Sequence, residues 1–233
     1  MRYILFILSA FLFCSCDNIS GSGQIQTENR NVGEFDGVQA SGSMDIEVTD
    51  GNKVSVQVEA DDNVLPYILT EVKGGVLEVY YKKNTSFNNV HTRVYVTAPV
   101  FTRLLVRGSG NIVSKNTIKS DESIAAKISG SGDINADVDA PEVKAEISGS
   151  GNLSLRGRTK IFEGNISGSG DLRCKDLLSE NAKIGIAGSG TAHVYASVHL
   201  KASTVGSGDI YYSGNPSTPE IHKIGSGNIE PER

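Results

Sequence analysis

The sequence contains no tryptophan, and only 6% of its 233 residues are aromatic. A single compact core built around large rings is therefore not expected. Glycine is abundant instead, with 26 residues, and this composition favours a fold made of many thin, similar layers. Lysine and arginine are scattered along a chain of net charge −5. Because no basic cluster is present, we expect no nucleic-acid partner.

Cysteine is scarce as well, with Cys14, Cys16 and Cys174 only. Since Cys174 alone lies in the part expected to fold, an internal disulfide is excluded there. Its alternating surroundings indicate a small buried side chain rather than a catalytic thiol. The histidines show no ligand spacing with a cysteine or carboxylate, so we expect no metal and no cofactor. They are His91, His193, His199 and His222.

An apolar run at residues 3–13 follows Arg2 and has the length of a secretory signal core. It is too short to span a bilayer, which takes roughly 20 apolar residues. Cys16 follows the small Ser15 and precedes a polar stretch, and this junction resembles a bacterial lipobox. We predict a lipoprotein signal peptide at 1–15, a lipid anchor on Cys16 and a polar tether at 16–32. An ordinary signal peptide with an incidental cysteine is the alternative.

Gly-Ser-Gly occurs seven times, at intervals of 22, 19, 19, 20, 18 and 19 residues. Such a fixed period is typical of a solenoid, whereas a flexible Gly/Ser linker lacks the ordered apolar alternation found on both sides of each copy. The first and second glycines of the copies are Gly108 and Gly110, Gly130 and Gly132, Gly149 and Gly151, Gly168 and Gly170, Gly188 and Gly190, Gly206 and Gly208, and Gly225 and Gly227.

Apolar residues alternate with polar ones before and after each glycine pair, as at Val143, Ala145 and Ile147. Period-two alternation indicates short, half-buried strands. One strand, a glycine corner and a second strand make a coil, and coils must stack at about 4.8 Å to bury their inner faces. We therefore predict an all-β fold: a parallel β-helix, or β-solenoid, with coils of about 19 residues over 108–229. Glycine suits the corner because it adopts positive φ without strain.

The residue after each Gly-Ser-Gly is Asn111, Asp133, Asn152, Asp171, Thr191, Asp209 and Asn228. Two aspartates never follow each other in adjacent coils. Stacked carboxylates would repel one another, whereas Asn and Thr can donate hydrogen bonds to a neighbouring Asp. The pattern predicts a structural polar ladder along the corner.

Residues 33–107 are less regular and rich in predicted strands, and we expect them to cap the N-terminal end of the stack. The segment 42–46, Gly-Ser-Met-Asp-Ile, is similar to a degenerate corner. Lys73-Gly74-Gly75 predicts a tight turn between two strands. Residues 61–66 favour one short helical turn.

The sequence resembles a known family, the bacterial auto-transporter adhesins with a head GIN domain. The resemblance covers roughly residues 33–229 and rests on Phe35-Asp36-Gly37-Val38, on Ala98-Pro99 and on the Gly-Ser-Gly-Asp/Asn-Ile/Leu units. It implies a β-helix fold and no assigned catalytic residues; members are often lipoproteins of Bacteroides-like bacteria. An autotransporter also needs a C-terminal membrane barrel. Because the last coil is followed directly by 230–233, we expect export by a lipoprotein route instead.

Three functions are consistent with these features. The first is a non-enzymatic lipoprotein of the outer membrane, on its periplasmic face or the cell surface, that acts in adhesion through a glycan or protein ligand. The second is a carbohydrate-binding or carbohydrate-active β-helix, with Asp133, Asp171 and Asp209 as carboxylates. The third is a structural protein that self-associates end to end. Two tyrosine pairs are candidate binding residues, because aromatic faces suit sugars and interfaces: Tyr80 and Tyr81, and Tyr211 and Tyr212.

Overall fold

The computed structural model describes residues 17–232, and these form an almost entirely β structure. The predicted signal peptide at 1–15 and the predicted anchor Cys16 lie outside the described residues. Within 17–232 the helical structure is limited to a 3-10 turn, η1 (Leu65–Tyr67), close to the turn expected at 61–66.

The part up to the first Gly-Ser-Gly contains ten strands: β1 (Asp17–Ser20), β2 (Ile25–Arg30), β3 (Gly37–Gly42), β4 (Asp45–Asp50), β5 (Ser55–Asp61), β6 (Ile68–Lys73), β7 (Val76–Tyr81), β8 (Thr85–Asn88), β9 (Thr92–Ala98) and β10 (Arg103–Gly108). Eleven strands follow: β11 (Asn111–Lys119), β12 (Ser123–Gly130), β13 (Asp133–Gly149), β14 (Asn152–Gly168), β15 (Asp171–Cys174), β16 (Leu177–Gly188), β17 (Thr191–Tyr195), β18 (His199–Gly206), β19 (Asp209–Ser213), β20 (Glu220–Gly225) and β21 (Ile229–Pro231).

The strands stack into two parallel β-sheets that meet at the glycine corner. We call the sheet that precedes the corner along the chain the pre-corner sheet, and the sheet that follows it the post-corner sheet. The pre-corner sheet runs β7–β3–β10–β12–β13–β14–β16–β18–β20. The post-corner sheet runs β9–β4–β11–β13–β14–β15–β17–β19–β21. β13 and β14 belong to both sheets, because in those coils the strand continues through the return.

Corner glycines of consecutive coils are register partners throughout the stack. Gly108 pairs with Gly130, Gly130 with Gly149, and the series continues to Gly225. Gly42 pairs with Gly108, so the degenerate segment forms the first corner and the solenoid begins before residue 108. The predicted β-solenoid is confirmed.

The two glycines of each corner are required for different reasons. The first has positive φ in every copy, from +119° to +134°, and a Cβ on Gly149 would lie 2.2 Å from the carbonyl oxygen of Gly130. The second lacks positive φ, but a Cβ on Gly151 would lie 2.1 Å from the carbonyl oxygen of Gly132. The positive-φ argument therefore holds for the first glycine only. Close backbone approach excludes a side chain at both.

The core is a set of stacked inward columns. In the post-corner sheet one such column is fully buried from Ile112 to Ile210. In the pre-corner sheet Phe162 lies beside Gly164, where a Cβ would come within 2.6 Å of Leu172. Large and small residues thus alternate along the chain to fill a narrow interior.

Residues 16–32 are not the free polar tether that the sequence predicts, and this expectation is corrected for the described part. β2 pairs antiparallel with β5 along its whole length, and β1 pairs in parallel with β8. The misreading has a physical cause: five of the six β2 residues are exposed, so an edge strand has the polarity of a linker. Asp61 helps to hold this segment, since its carboxylate accepts the backbone N–H groups of Gly23 and His91, both at 2.7 Å.

The two ends of the stack differ. At the N-terminal end β6 and β7 form the expected antiparallel hairpin across Gly74-Gly75. Phe87 there packs against Tyr81, with 4.3 Å between ring centroids and 32° between the ring planes. At the C-terminal end, within the described residues, β20 and β21 have a strand partner on one side only. β20 is exposed along its whole length.

Replacing the first corner glycine in mid-stack, Gly149→Ala, should lower the free energy of unfolding by about 3 kcal/mol or more, because positive φ and a backbone clash add. Urea denaturation gives the value. Gly33→Ala is the matched control, since φ is not positive there and nothing lies within 4 Å of a new Cβ. Equal losses in the two variants would contradict the close-approach argument.

Asp61→Asn should destabilise the fold by about 1–3 kcal/mol at pH 7, because a buried charge-assisted bond is lost. Backbone bonds from His91 and Gly23 lower the pKa of Asp61 in the folded chain. Its contribution is therefore present above the unfolded pKa of about 3.9 and disappears as the pH falls through the lower folded pKa. Urea titrations at pH 7 and pH 3 measure this, with exposed Asp121→Asn as control. A loss that is as large at pH 3 would count against the assignment.

Candidate binding surfaces of the solenoid

The residues after the glycine corners form a continuous polar column. Asn111 lies opposite Asp45 in one coil and Asp133 in the next. Its Nδ2 donates to Oδ1 of Asp45 at 2.8 Å, and Nδ2 of Asn152 donates to Oδ1 of Asp133 at 2.8 Å. The amides thus separate the carboxylates and bind them.

Backbone groups complete this column. The N–H of Asn152 donates to Oδ1 of Asp133 at 2.9 Å, and the N–H of Asn228 donates to Oδ1 of Asp209 at 2.7 Å. Thr191 lies in register between Asp171 and Asp209. Asp133 and Asp209 therefore accept hydrogen bonds from the next coil. An Asn or Thr residue separates each aspartate of the column from the next aspartate.

The two tyrosine pairs are not brought together. Tyr80 and Tyr81 lie on β7 in the first coil, whereas Tyr211 and Tyr212 lie on β19 near the other end. Tyr81 is half-buried and donates to Oγ1 of Thr92 at 2.9 Å, and Tyr212 packs partly against the core. Tyr80 lies under Lys73, whose Nζ is 5.6 Å from the ring centroid. Tyr211 stacks on His193 with 5.1 Å between centroids.

Cys174 is fully buried, and burial raises the pKa of its thiol to about 12. A thiol protonated at physiological pH is a poor nucleophile. In residues 17–232 no group of three or more His, Cys, Asp or Glu side chains is placed to hold a metal ion. His91 contacts Glu59 at 2.8 Å, and His193 contacts Glu232 at 3.2 Å.

An outward column on the post-corner sheet was missed by sequence reasoning. It consists of the third residue after the second glycine of each corner, and successive members pair across strands: Val113, Asn135, Ser154, Arg173, His193, Tyr211 and Glu230. Aligning the repeats on their glycines would have revealed it. Two adjoining clefts of about 430 and 400 Å³ lie along this column and share Asn135, Ser154 and Arg173. Arg156, Arg173, Lys175 and His193 line the second cleft together with Asp176 and Glu232.

The pre-corner sheet presents a different surface, an open groove of about 1350 Å³. Its floor carries small side chains in register, such as Ser129, Ser148 and Ser167. Among residues 17–232, no aromatic side chain lines this groove. Ion pairs between coils flank the floor, including Lys127 with Glu146 at 2.9 Å. This surface is larger but offers fewer distinctive groups than the post-corner clefts.

A family model described as "Putative auto-transporter adhesin, head GIN domain" matches residues 34–216. The chain belongs to this family. The resemblance noted in the sequence is thereby confirmed. The Gly-Ser-Gly copies from Gly108 to Gly208 lie within the matched residues. No curated protein matches it.

Solved structures share the solenoid. A crystal structure described as a putative adhesin from Bacteroides fragilis has a TM-score of 0.87 at 22% identity, with 92% of this chain and 100% of that chain covered. One described as a putative lipid binding protein from Parabacteroides distasonis has a TM-score of 0.74 at 26% identity, covering 93% and 100%. A putative adhesin from the same species has a TM-score of 0.73 at 24% identity, again covering 93% and 100%. These likenesses establish the fold. In the described part, none of the helical structure could cross a membrane.

Asn152→Asp would place a carboxylate between Asp133, to which Asn152 donates at 2.8 Å, and Asp171, its register partner in the next coil. We expect a loss of about 0.5–2 kcal/mol in unfolding free energy from two like-charge contacts, partly recovered in high salt. Ser154→Asp is the control, since its register partners are Asn135 and Arg173. Urea denaturation at low and high salt decides, and equal effects in both variants would argue against a charge-separated ladder.

The buried thiol of Cys174 should not react with Ellman's reagent at pH 8 in a folded chain that begins at residue 17, where it is the one cysteine. Denaturant should release one reactive thiol per chain. Rapid labelling of the native protein would contradict the burial and the raised thiol pKa.

Proposed function

We propose that the chain is an exported lipoprotein, anchored through an acylated Cys16, that works as a non-enzymatic adhesion module of the outer membrane. The observation that carries the proposal is how the repeated polar residues are used. Corner carboxylates and amides bond to one another between coils, and Asp45, Asn111, Asp133 and Asn152 of this ladder also line the larger of the two clefts. The bonds that hold the spine together thus leave polar groups on an outward surface that a ligand can reach.

The attachment of β1 supports a short anchor. Asp17, which directly follows Cys16 in the sequence, is the register partner of Thr85 in β8. A lipid on Cys16 would hold the N-terminal end of the stack next to the bilayer. The remaining coils would then extend away from the membrane, where their outward faces meet ligands.

A carbohydrate-active function is less well supported than binding. Asp133, Asp171 and Asp209 stand in alternate coils, about 10 Å apart for two strand spacings. Inverting pairs of carboxylates are about 6.5–9.5 Å apart and face one substrate bond. Asp133 also accepts a hydrogen bond from the intervening Asn152. Asp171 and Asp209 both lie in register with the intervening Thr191. Their placement favours a structural role.

End-to-end self-association is also less well supported. Lys223 occupies an inward register position in β20, opposite the buried Thr204. Pro231 lies in β21 and cannot donate a backbone hydrogen bond. An inward charge and an edge proline are devices that prevent sheet edges from pairing.

The anchor is tested by replacing Cys16 with serine in cells that express the full chain. We expect metabolic labelling with an alkyne fatty acid to disappear and the protein to leave the membrane fraction. Retention of Cys16→Ser in the outer membrane would contradict the anchor. Protease treatment of intact cells distinguishes the cell surface from the periplasmic face.

The adhesion role is tested separately with an array of glycans and matrix proteins. Cells that display the full chain should adhere to at least one class more than cells that lack it. Adhesion that does not depend on the chain, together with turnover of a glycan that is lost in Asp171→Ala, would favour the enzymatic alternative.

A further inference from the structure

A small separate sheet, β1 with β8, lies at the N-terminal end of the stack. Ile19 and Phe87 are register partners in it, and both pack partly against the core. The ring of Phe87 also lies 6.0 Å from that of Tyr67, between centroids. Tyr67 belongs to η1, which crosses this end from β5, next to the post-corner sheet, to β6, next to the pre-corner sheet. The small sheet is therefore fixed to the rigid part of the fold.

No free length of chain separates this sheet from the proposed anchor. Asp17 directly follows Cys16 and is the register partner of Thr85. One extended residue spans at most about 3.6 Å, and paired strands lie about 4.8 Å apart. Acyl chains on Cys16 would therefore hold the start of β8 at the level of the lipid headgroups.

The turn before β8 presents two lysines beside this point. Lys82, Lys83 and Asn84, which we call the lysine turn, are all exposed. Within the described part of the chain neither lysine has an ion pair, whereas Lys73 of the same end contacts Glu71. Two unpaired ammonium groups thus stand two and three positions before Thr85.

The backbone of the lysine turn is held in one shape. The N–H of Lys82 donates to the carbonyl oxygen of Tyr67 at 2.8 Å, and Oγ1 of Thr85 donates to the carbonyl oxygen of Lys82 at 2.5 Å. Asn84 has a φ of +64°, a left-handed conformation that asparagine tolerates better than most residues. An ordered support of this kind lowers the entropy cost of binding.

Acidic groups near the lysine turn do not cancel its charge. Asp61 binds the backbone of Gly23 and His91, and Asp62 accepts the hydroxyl of Ser22. These contacts lie beyond the far ends of β1 and β8, roughly 10 Å along the strands at about 3.3 Å per residue. Screening at physiological salt acts over about 8 Å. Asp17 adjoins the turn in register, so two lysines stand beside one carboxylate.

A partly exposed aromatic ring completes this end. Tyr67 is the backbone partner of Lys82 and is not fully covered by the core. Lysine and tyrosine together are typical of the boundary between membrane and water, where the ammonium group contacts headgroups and the ring lies at the same depth. The surface next to Cys16 thus has the chemistry of a membrane contact.

We propose that the lysine turn binds the phosphates of anionic lipid headgroups and, beside the acyl chains on Cys16, fixes the N-terminal end of the solenoid against the bilayer. This inference rests on the proposed lipid anchor and adds an electrostatic contact to it. Each lysine near an anionic surface favours binding about fivefold. Two such lysines suffice to orient an anchored domain, whose later coils then stay accessible to ligands.

The test measures how quickly each lysine of the full, acylated chain reacts with a membrane-impermeant amine reagent. The chain is added to vesicles of phosphatidylcholine with or without phosphatidylglycerol, and modified peptides are quantified by mass spectrometry. We expect Lys82 and Lys83 to react about tenfold or more slowly on the anionic vesicles, because both ammonium groups are engaged. High salt should remove the difference.

Lys160 is the matched internal control. It is exposed on β14 in mid-stack and likewise has no ion pair within residues 17–232, so it should react equally on both kinds of vesicle. Lys82→Gln should reduce the protection of Lys83 severalfold, whereas Lys160→Gln should leave it unchanged. Melting curves show whether each variant is folded, and Lys83→Gln, with Lys82 as the reporter, is the second variant.

The outcomes separate this inference from the proposed function. The mass of the N-terminal peptide shows whether Cys16 carries fatty acids, independently of lysine reactivity. An acylated chain in which Lys82, Lys83 and Lys160 react alike on anionic vesicles would refute the membrane surface and leave the anchor intact. Equal protection on neutral vesicles, or protection by glycerol phosphate in detergent, would contradict an anionic membrane as the partner. An unmodified Cys16 would overturn both.

Discussion

The close approach of backbones at the glycine corner is the constraint on which the rest of the structure depends. Each first glycine lies over the carbonyl of its counterpart in the preceding coil, so near that a Cβ would fall 2.1–2.6 Å from that oxygen. Because the corners stack in register, the residues that follow each corner lie opposite their counterparts in the next coil and point to the same side of the sheet. The buried columns, the polar ladder and the outward clefts are consequences of this single geometric repetition.

Regular stacking places equivalent residues of successive coils about 4.8 Å apart. Like charges at equivalent positions would therefore repel one another. The corner column avoids this repulsion by alternating carboxylates with amides or threonine. The pre-corner face does so with ion pairs between coils, such as Lys183 with Glu163 at 3.6 Å. In the column through Arg173 and His193, the charge of Arg173 is balanced within its own coil by Asp171 at 2.9 Å.

Two strand pairings in the N-terminal part of the fold differ in how well the sequence predicts them. The hairpin at Gly74-Gly75 is predictable because its turn residues are local. The pairing of β2 with β5 is not, because an exposed edge strand has the polarity of a linker and its partner lies some 30 residues away in sequence. Likewise Tyr81 is indistinguishable from Tyr80 by type, and only its direction on β7 brings it against Phe87 and the core.

By itself the sequence determined the coil, the corner and the ladder, since a period near 19 residues with glycine at fixed positions allows few other arrangements. It also determined the family, which the match over residues 34–216 establishes. Only the tertiary structure decided which side chains share a surface. Arg156, Arg173 and His193 lie near one another because coils stack in register. That proximity depends on register and on return-loop length, which differ from coil to coil and have no local signature in the chain.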